Sequence, residues 1–166
     1  MASMKQSSIL QGVAQKGRVL QVVSTTKTDV FATTSTTNVD ISGLSVAITP
    51  AATTSKIIVI LSTNARVSTP AVISVVLLRN STEIGGGLAA GSRPSAFRGA
   101  FLSPGDTGGV FSGEHLDSPS TTSEITYKVQ TKTNTGTISV NQSGADADNS
   151  IHPRLSSTIT VMEVAG

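Results

Sequence analysis

Cysteine and tryptophan are absent from this chain, and tyrosine occurs once. Without cysteine there can be neither a disulfide framework nor a thiolate metal site, and nothing can be read about the redox compartment. Aromatic residues make up 3% of the sequence, which removes the stacking platforms that single-stranded nucleic acid needs and weakens a sugar-binding reading. Charge is scarce too: Asp, Glu, Lys and Arg total 13%, against about 25% in an ordinary soluble domain. The net charge of +2 is scattered and forms no cluster that could neutralise phosphates, so no nucleic-acid partner is expected. No apolar run approaches the roughly 18 residues of a membrane-spanning helix, and no membrane partner is expected. The opening "MASMKQSSILQGVAQKGR" is broken by Gln, Ser and Gly where an export signal would be continuously apolar, which predicts synthesis in a cytoplasm.

In place of charge the chain has hydroxyls and small β-branched residues, with a mean hydropathy of +0.13. A surface of Ser and Thr repels a neighbouring copy weakly and is desolvated at lower cost than one of Lys and Glu. That composition favours assembly. The length of 166 residues fits one domain, enough to bury about 70% of its unfolded surface around one core.

The pattern divides the chain at residue 17. Residues 1–17 have mixed polarity, with Ile9, Leu10 and Val13 at a spacing compatible with one or two helical turns, and read as an arm. Residues 18–166 read as a β domain: short blocks rich in Val, Ile, Thr and Ser, from "RVLQVVSTT" to "SSTITVMEV", eleven in all. Pro50, Thr69-Pro70, Asn80-Ser81, Pro104-Gly105-Asp106, Ser118-Pro119, Asn134-Thr135-Gly136 and Pro153 punctuate them. Many short strands without a helical pattern between them predict an all-β fold, an antiparallel sandwich of jelly-roll type. In "EITYKVQTKT" the alternation turns Ile125, Tyr127 and Val129 toward a core. "KIIVIL" and "AVISVVLL" are instead nearly continuous apolar runs, the signature of strands covered on both faces, which points to contact with another subunit or layer.

The glycine cluster "EIGGGLAAGSRPSAF" contains GxGxxA from Gly85 to Ala90, but a dinucleotide site needs a helix after the turn. Ser92-Arg93-Pro94-Ser95 and the glycines beyond cannot start one. A phosphate loop would need Lys followed by Ser or Thr, where this chain has Ser92 and Arg93. The cluster is therefore expected to close a hairpin turned at Asn80-Ser81, with no cofactor bound.

Other chemistries have little to work with. His115 and Asp117 in "GEHLDS" would share a strand face, as a base and its orienting carboxylate do, yet no nucleophile is singled out. No catalytic residue is assigned, and His152 reads as a loop residue. In "GADADNS" Asp146, Asp148 and Asn149 begin like a calcium loop, but Ile151 and Ser157 stand where the EF-hand needs Gly and Glu. The loop reads as a solvated turn, with a looser calcium site of Asp146, Asp148 and carbonyls as the alternative, and no metal ligand is assigned. Asn80 and Asn141 open glycosylation sequons that carry no weight without export. Arg93, Arg98 and Arg154 are expected as solvated loop charges, with pairing across an interface as the alternative.

The blocks "VLQVVSTTKTDVFATTSTTNVDISGLSVAITPAATTSKIIVIL", "LLRNSTEIGGG", "AAGSR", "LDSPSTTSEITYKVQ" and "STITVMEV", in that order, resemble a β-rich module. It recurs in structural proteins of marine and freshwater tailed bacteriophages, cyanophages included, both as a small protein and within tail-fibre chains. The resemblance spans about residues 18–164. It implies a virion component without enzymatic activity and supplies no catalytic or metal residues. The resemblance does not by itself say which part of the virion; the first reading is a capsid decoration or cement protein, a homotrimer bound to the major capsid protein. Lys5, Ile9, Leu10, Val13 and Lys16 of the arm would be the anchoring residues. A tail-fibre or receptor-binding module bound to tail components is the second reading, and a β-sandwich lectin or enzyme unrelated to virions the third.

Overall fold

The computed structural model describes residues 16–103, 108–144 and 146–166. The eleven blocks become eleven strands: β1 (Val19–Lys27), β2 (Phe31–Thr33), β3 (Val39–Ile48), β4 (Lys56–Val67), β5 (Ala71–Arg79), β6 (Thr82–Ile84), β7 (Arg98–Leu102), β8 (Gly109–Asp117), β9 (Ile125–Thr133), β10 (Ile138–Val140) and β11 (Ser157–Val164). No helix occurs among the described residues. All pairings are antiparallel, and they form two sheets packed as a jelly-roll-like sandwich.

The six-stranded sheet is built on β4. Its twelve residues pair along one side with β8, and along the other first with β11 and then with β10. β1 adds to β11 and β2 adds to β10. In the five-stranded sheet the order is β3-β9-β5, and the far side of β5 is shared between β7 and β6. Strand period explains the core. In β4, Ile57, Val59, Leu61, Thr63, Ala65 and Val67 all point inward, and across from them lie Ile73, Val75 and Leu77 of β5 with Ile125, Tyr127 and Val129 of β9. Burying each of the larger apolar side chains contributes roughly 1.5–3 kcal/mol. The β9 alternation is thus the one read from its sequence.

The two apolar runs behave differently from each other. In β5 the successive residues Val75, Val76, Leu77 and Leu78 are all buried within the single chain, so this run needs no second subunit to cover it. In β4 the second face stays partly open, with Ile58 half-buried and Ile60 exposed.

Polar groups fix what apolar contacts leave loose. Asp117, at the end of β8 in the larger sheet, accepts hydrogen bonds from two residues of the smaller one. Arg79 Nη1 of β5 lies 2.8 and 3.0 Å from its carboxylate oxygens, and the Tyr127 hydroxyl of β9 donates to Oδ2 at 2.7 Å. Arg98 of β7 makes a second strut. Its Nε donates to the Ser112 carbonyl of β8 at 2.7 Å, its Nη1 to the Phe97 carbonyl at 2.7 Å, and its guanidinium stacks 4.2 Å from the Phe97 ring. Gly113 makes room for it, since a Cβ there would collide with the guanidinium.

A third network centres on Asn141, which is fully buried with φ of 63°. Its side chain donates to the carbonyls of Lys27 and Asp29 at 2.9 and 3.1 Å, and accepts from Ser157 Oγ at 2.6 Å. It thereby joins the β1–β2 connection to the start of β11. At the opposite corner Gly17 N donates to the Ala165 carbonyl at 2.8 Å, and Ala165 N to the Arg18 carbonyl at 2.9 Å, which closes the open end of the β1–β11 ladder.

Removing one partner of a buried charged cluster leaves the others unpaired, whereas removing a hydroxyl costs about one hydrogen bond. Asp117→Ala is therefore expected to lower the unfolding free energy by about 3–5 kcal/mol and Tyr127→Phe by about 1 kcal/mol. Urea denaturation of the two variants checks both values.

Candidate functional site

The residues that could have carried chemistry are mostly engaged in structure. His115 and Asp117 do share the inward face of β8, as their spacing requires. Asp117, however, is held by Arg79 and Tyr127, while His115 packs against Gly85 at the base of the glycine-rich loop. The structure thus brings together Asp117, Tyr127 and Arg79, a set with no local sequence signal because its members lie 10 and 38 residues apart. Burial pushes the Tyr127 hydroxyl far above the usual tyrosine range, and the hydrogen bond to Asp117 adds to the effect. It is a donor and stays one.

Glu163 is the other buried carboxylate that sequence reading passed over. It projects inward from β11 and is fully buried, with no cationic partner among the described residues. Gln21 Nε2 donates to its Oε2 at 2.6 Å and the Ala51 N–H to its Oε1 at 2.7 Å. Burial raises its pKa, but the polar groups around it, Ser55 first and then Gln21 and the Ala51 amide, favour the charged form by more, and the net displacement is downward from the usual 4.5.

The glycine cluster turns out to be a projecting finger over residues 85–96. Asn80, with φ of 54°, turns β5 into β6, as the hairpin reading required. Gly87 N then donates to the Ala96 carbonyl at 3.3 Å, and Ala90 and Arg93 exchange bonds of 3.1 Å across the tip. Gly91 at the tip has φ of 60°, where a side chain would be strained. Leu88 is 98% exposed. No helix follows the cluster.

At the Asp146 loop, Arg154 Nη2 lies 2.8 Å from Asp146 Oδ1 in an exposed ion pair. No group of three metal-ligating side chains occurs among the described residues. Asn141, the second sequon residue, is inaccessible and has its side chain committed to the fold. Of the anchoring residues expected in the arm, Lys5, Ile9, Leu10 and Val13 lie outside the described residues, and Lys16 sits exposed in the turn before β1.

What remains available is surface. Across the outer face of the larger sheet, register places Val22 of β1 beside Met162 of β11, Met162 beside Ile58 of β4, and Ile58 beside Leu116 of β8. This is one continuous apolar row, and its two ends, Val22 and Leu116, are 56% and 59% exposed. The next row reads Ser24, Thr160, Ile60, Glu114, and the preceding one contains Val19, Val164 and Lys56. Hydroxyls on this face pair with one another: Ser24 with Thr160 at 2.8 Å and, one row further, Thr26 with Thr158 at 3.4 Å. The outer face of the smaller sheet carries a lesser patch, where Val72 and Phe101 are paired and exposed beside an open groove of about 460 Å³. Lys132 is the one charged residue among that groove's described lining.

No family model matches the chain, and no curated protein does. Among solved structures it is similar to the structure of the Gx strain of infectious bursal disease virus, at 13% identity and a TM-score of 0.48, over 90% of this chain and 38% of that one. For the Gt strain of the same virus the values are 16%, 0.48, 91% and 39%. For a mutant VP2 protein of that virus, in derived T=1 particles, they are 15%, 0.45, 99% and 41%. The chain spans about two fifths of the length of these chains.

Glu163 has a testable consequence for pH. Because its folded pKa lies below its unfolded value, it stabilises the fold above about pH 4.5 and this contribution is lost as pH falls through the folded pKa. Asp40, lowered by hydrogen bonds from Lys128 and Gln130, acts in the same direction. Thermal melts between about pH 7 and 3 should show stability falling on acidification, and Glu163→Gln should flatten part of that slope while lowering stability at neutral pH.

Proposed function

We propose that this chain is a structural component of a tailed-phage virion, a capsid decoration or cement protein bound to the outer capsid surface. The observation that carries the reading is where the polar and apolar groups lie. Among the described residues the buried carboxylates Asp117 and Glu163 hold strands together, while a continuous apolar row and hydroxyl ladders face outward. Such an arrangement suits adhesion better than turnover, and the protein in this reading catalyses no reaction and needs no cofactor. The ordered sequence blocks that resemble phage structural modules supply the virion context.

The mechanism is mechanical. Subunits made in the host cytoplasm bind the assembled shell, and area buried across capsomer boundaries opposes their separation under the pressure of packaged DNA. The major capsid protein is the partner, and residues 1–17, with Lys5, Ile9, Leu10, Val13 and Lys16, are the anchor. A tail-fibre or receptor-binding role is the second reading, favoured by the exposed Leu88 on the glycine finger.

Quantitative mass spectrometry of purified virions decides between them. A copy number comparable to that of the major capsid protein is expected, and a few copies to a few dozen would move the protein to the tail. On the first reading, Ile9→Asp combined with Leu10→Asp should reduce attachment to capsids by at least about tenfold while leaving the thermal midpoint of the free protein unchanged.

A further inference from the structure

The outer face of the larger sheet has a property that neither sheet edge nor finger shares: its charges are complementary to a copy of itself. Four rows of this face, from Val164 and Lys56 down to Thr158 and Ser62, run across β1, β11, β4 and β8. Two charged residues lie on those four rows, Lys56 and Glu114, and neither has an ion-pair partner among the described residues. They sit one row above and one row below the apolar row Val22, Met162, Ile58, Leu116.

We propose that two copies of this chain pack these faces together about a two-fold axis that runs along the apolar row. Such an axis lays each apolar row over its counterpart and exchanges the rows on either side. Glu114 of one copy then falls over the position of Ser118 in the other, since Ser118 follows Asp117, which pairs with Ile57. The ammonium of Lys56 is already at that point, donating to Ser118 Oγ at 2.8 Å. Each copy therefore offers a carboxylate where the other holds an ammonium group with a neutral partner, and the contact occurs twice. Lys and Glu side chains are long enough to meet across the roughly 10 Å that separates packed sheets.

Area and composition agree. Four strands about 4.8 Å apart and four rows along them give on the order of 500 Å² of plan area per copy, or about 1,000 Å² for the pair, which reaches the threshold of a biological interface. Ser24 pairs with Thr160 and Thr26 with Thr158 within the chain, which lowers the cost of covering those four hydroxyls. Charge also separates this arrangement from the expected three-fold. A three-fold axis along the strands would bring three Lys56 ammonium groups toward one another near the centre. The two-fold gives every one of them a carboxylate. This pairing stands independently of the virion reading.

Sedimentation equilibrium of the full chain, from about 1 to 200 µM, tests it. A concentration-dependent mass of two copies is expected. Glu114→Lys should raise the dissociation constant at least about 100-fold, because like charges then meet twice, and adding Lys56→Glu should restore pairing. Leu116→Asp, at an exposed position, should separate the copies without altering the thermal midpoint. A single-copy mass at the highest concentration overturns the proposal, whether the face is then covered by residues 1–15 or by the capsid. So does a mass of three copies, or a Glu114→Lys variant that pairs like the parent.

Discussion

A carboxylate at the end of β8 decides how the two sheets sit on each other. The core between them is made of Val, Ile, Leu and Ala, whose contacts are non-directional and would tolerate small slides along the strands. Asp117 does not tolerate them. Its hydrogen bonds to Arg79 and Tyr127 join an edge strand of one sheet to two inner strands of the other, and each has a narrow range of length and angle. Arg98 does the same from the opposite direction, through Gly113, which keeps the path of its guanidinium clear. With both struts in place the relation of the two sheets is fixed.

The low charge of the sequence acquires a structural meaning on those faces. Where most proteins would carry Lys and Glu, this one has Ser and Thr in cross-strand pairs that hydrogen-bond to each other. A hydroxyl already partnered within its own chain gives up little when water is removed. The few charges present are correspondingly specific. Lys128 and Asp40 pair across neighbouring strands of the smaller sheet, Arg154 closes onto Asp146, and Lys27 is buried against Asp29.

Most of the strand content was legible because it is local. Alternation in "EITYKVQTKT" located Tyr127 in the core, and Asn80-Ser81 announced the hairpin that disqualifies the glycine cluster as a phosphate site. What a strand pairs with is not local, and there the reading was weaker. The runs "KIIVIL" and "AVISVVLL" look equivalent, yet Val76 and Leu78 are covered within the chain while Ile58 and Ile60 remain open to a partner, a distinction set by the rest of the fold. Asp117 was paired in prospect with His115, two residues away, and its true partner Arg79 comes from a different sheet. Asn141 was legible only as the first residue of a sequon without weight, because nothing in its neighbours reports that a left-handed turn will bury it. Glu163 gave no sign at all: an alternating strand places it inward, where sequence patterns allow only apolar residues, and the amide donors that make this possible come from Gln21 and the Ala51 backbone.

The corner where Gly17 and Arg18 meet Ala165 gives the domain a weak direction. β1 and β11 run antiparallel as neighbours, so the chain enters and leaves the sandwich at the same end of one ladder. Tension applied between those two ends does not shear the ladder, which would load all its hydrogen bonds together. It opens them in sequence from Gly17 inward, as a zipper opens. The same domain pressed through its sheet faces bears the load over the whole core. Its toughness is therefore a matter of direction, high where a neighbour leans on it and low where its own chain is pulled.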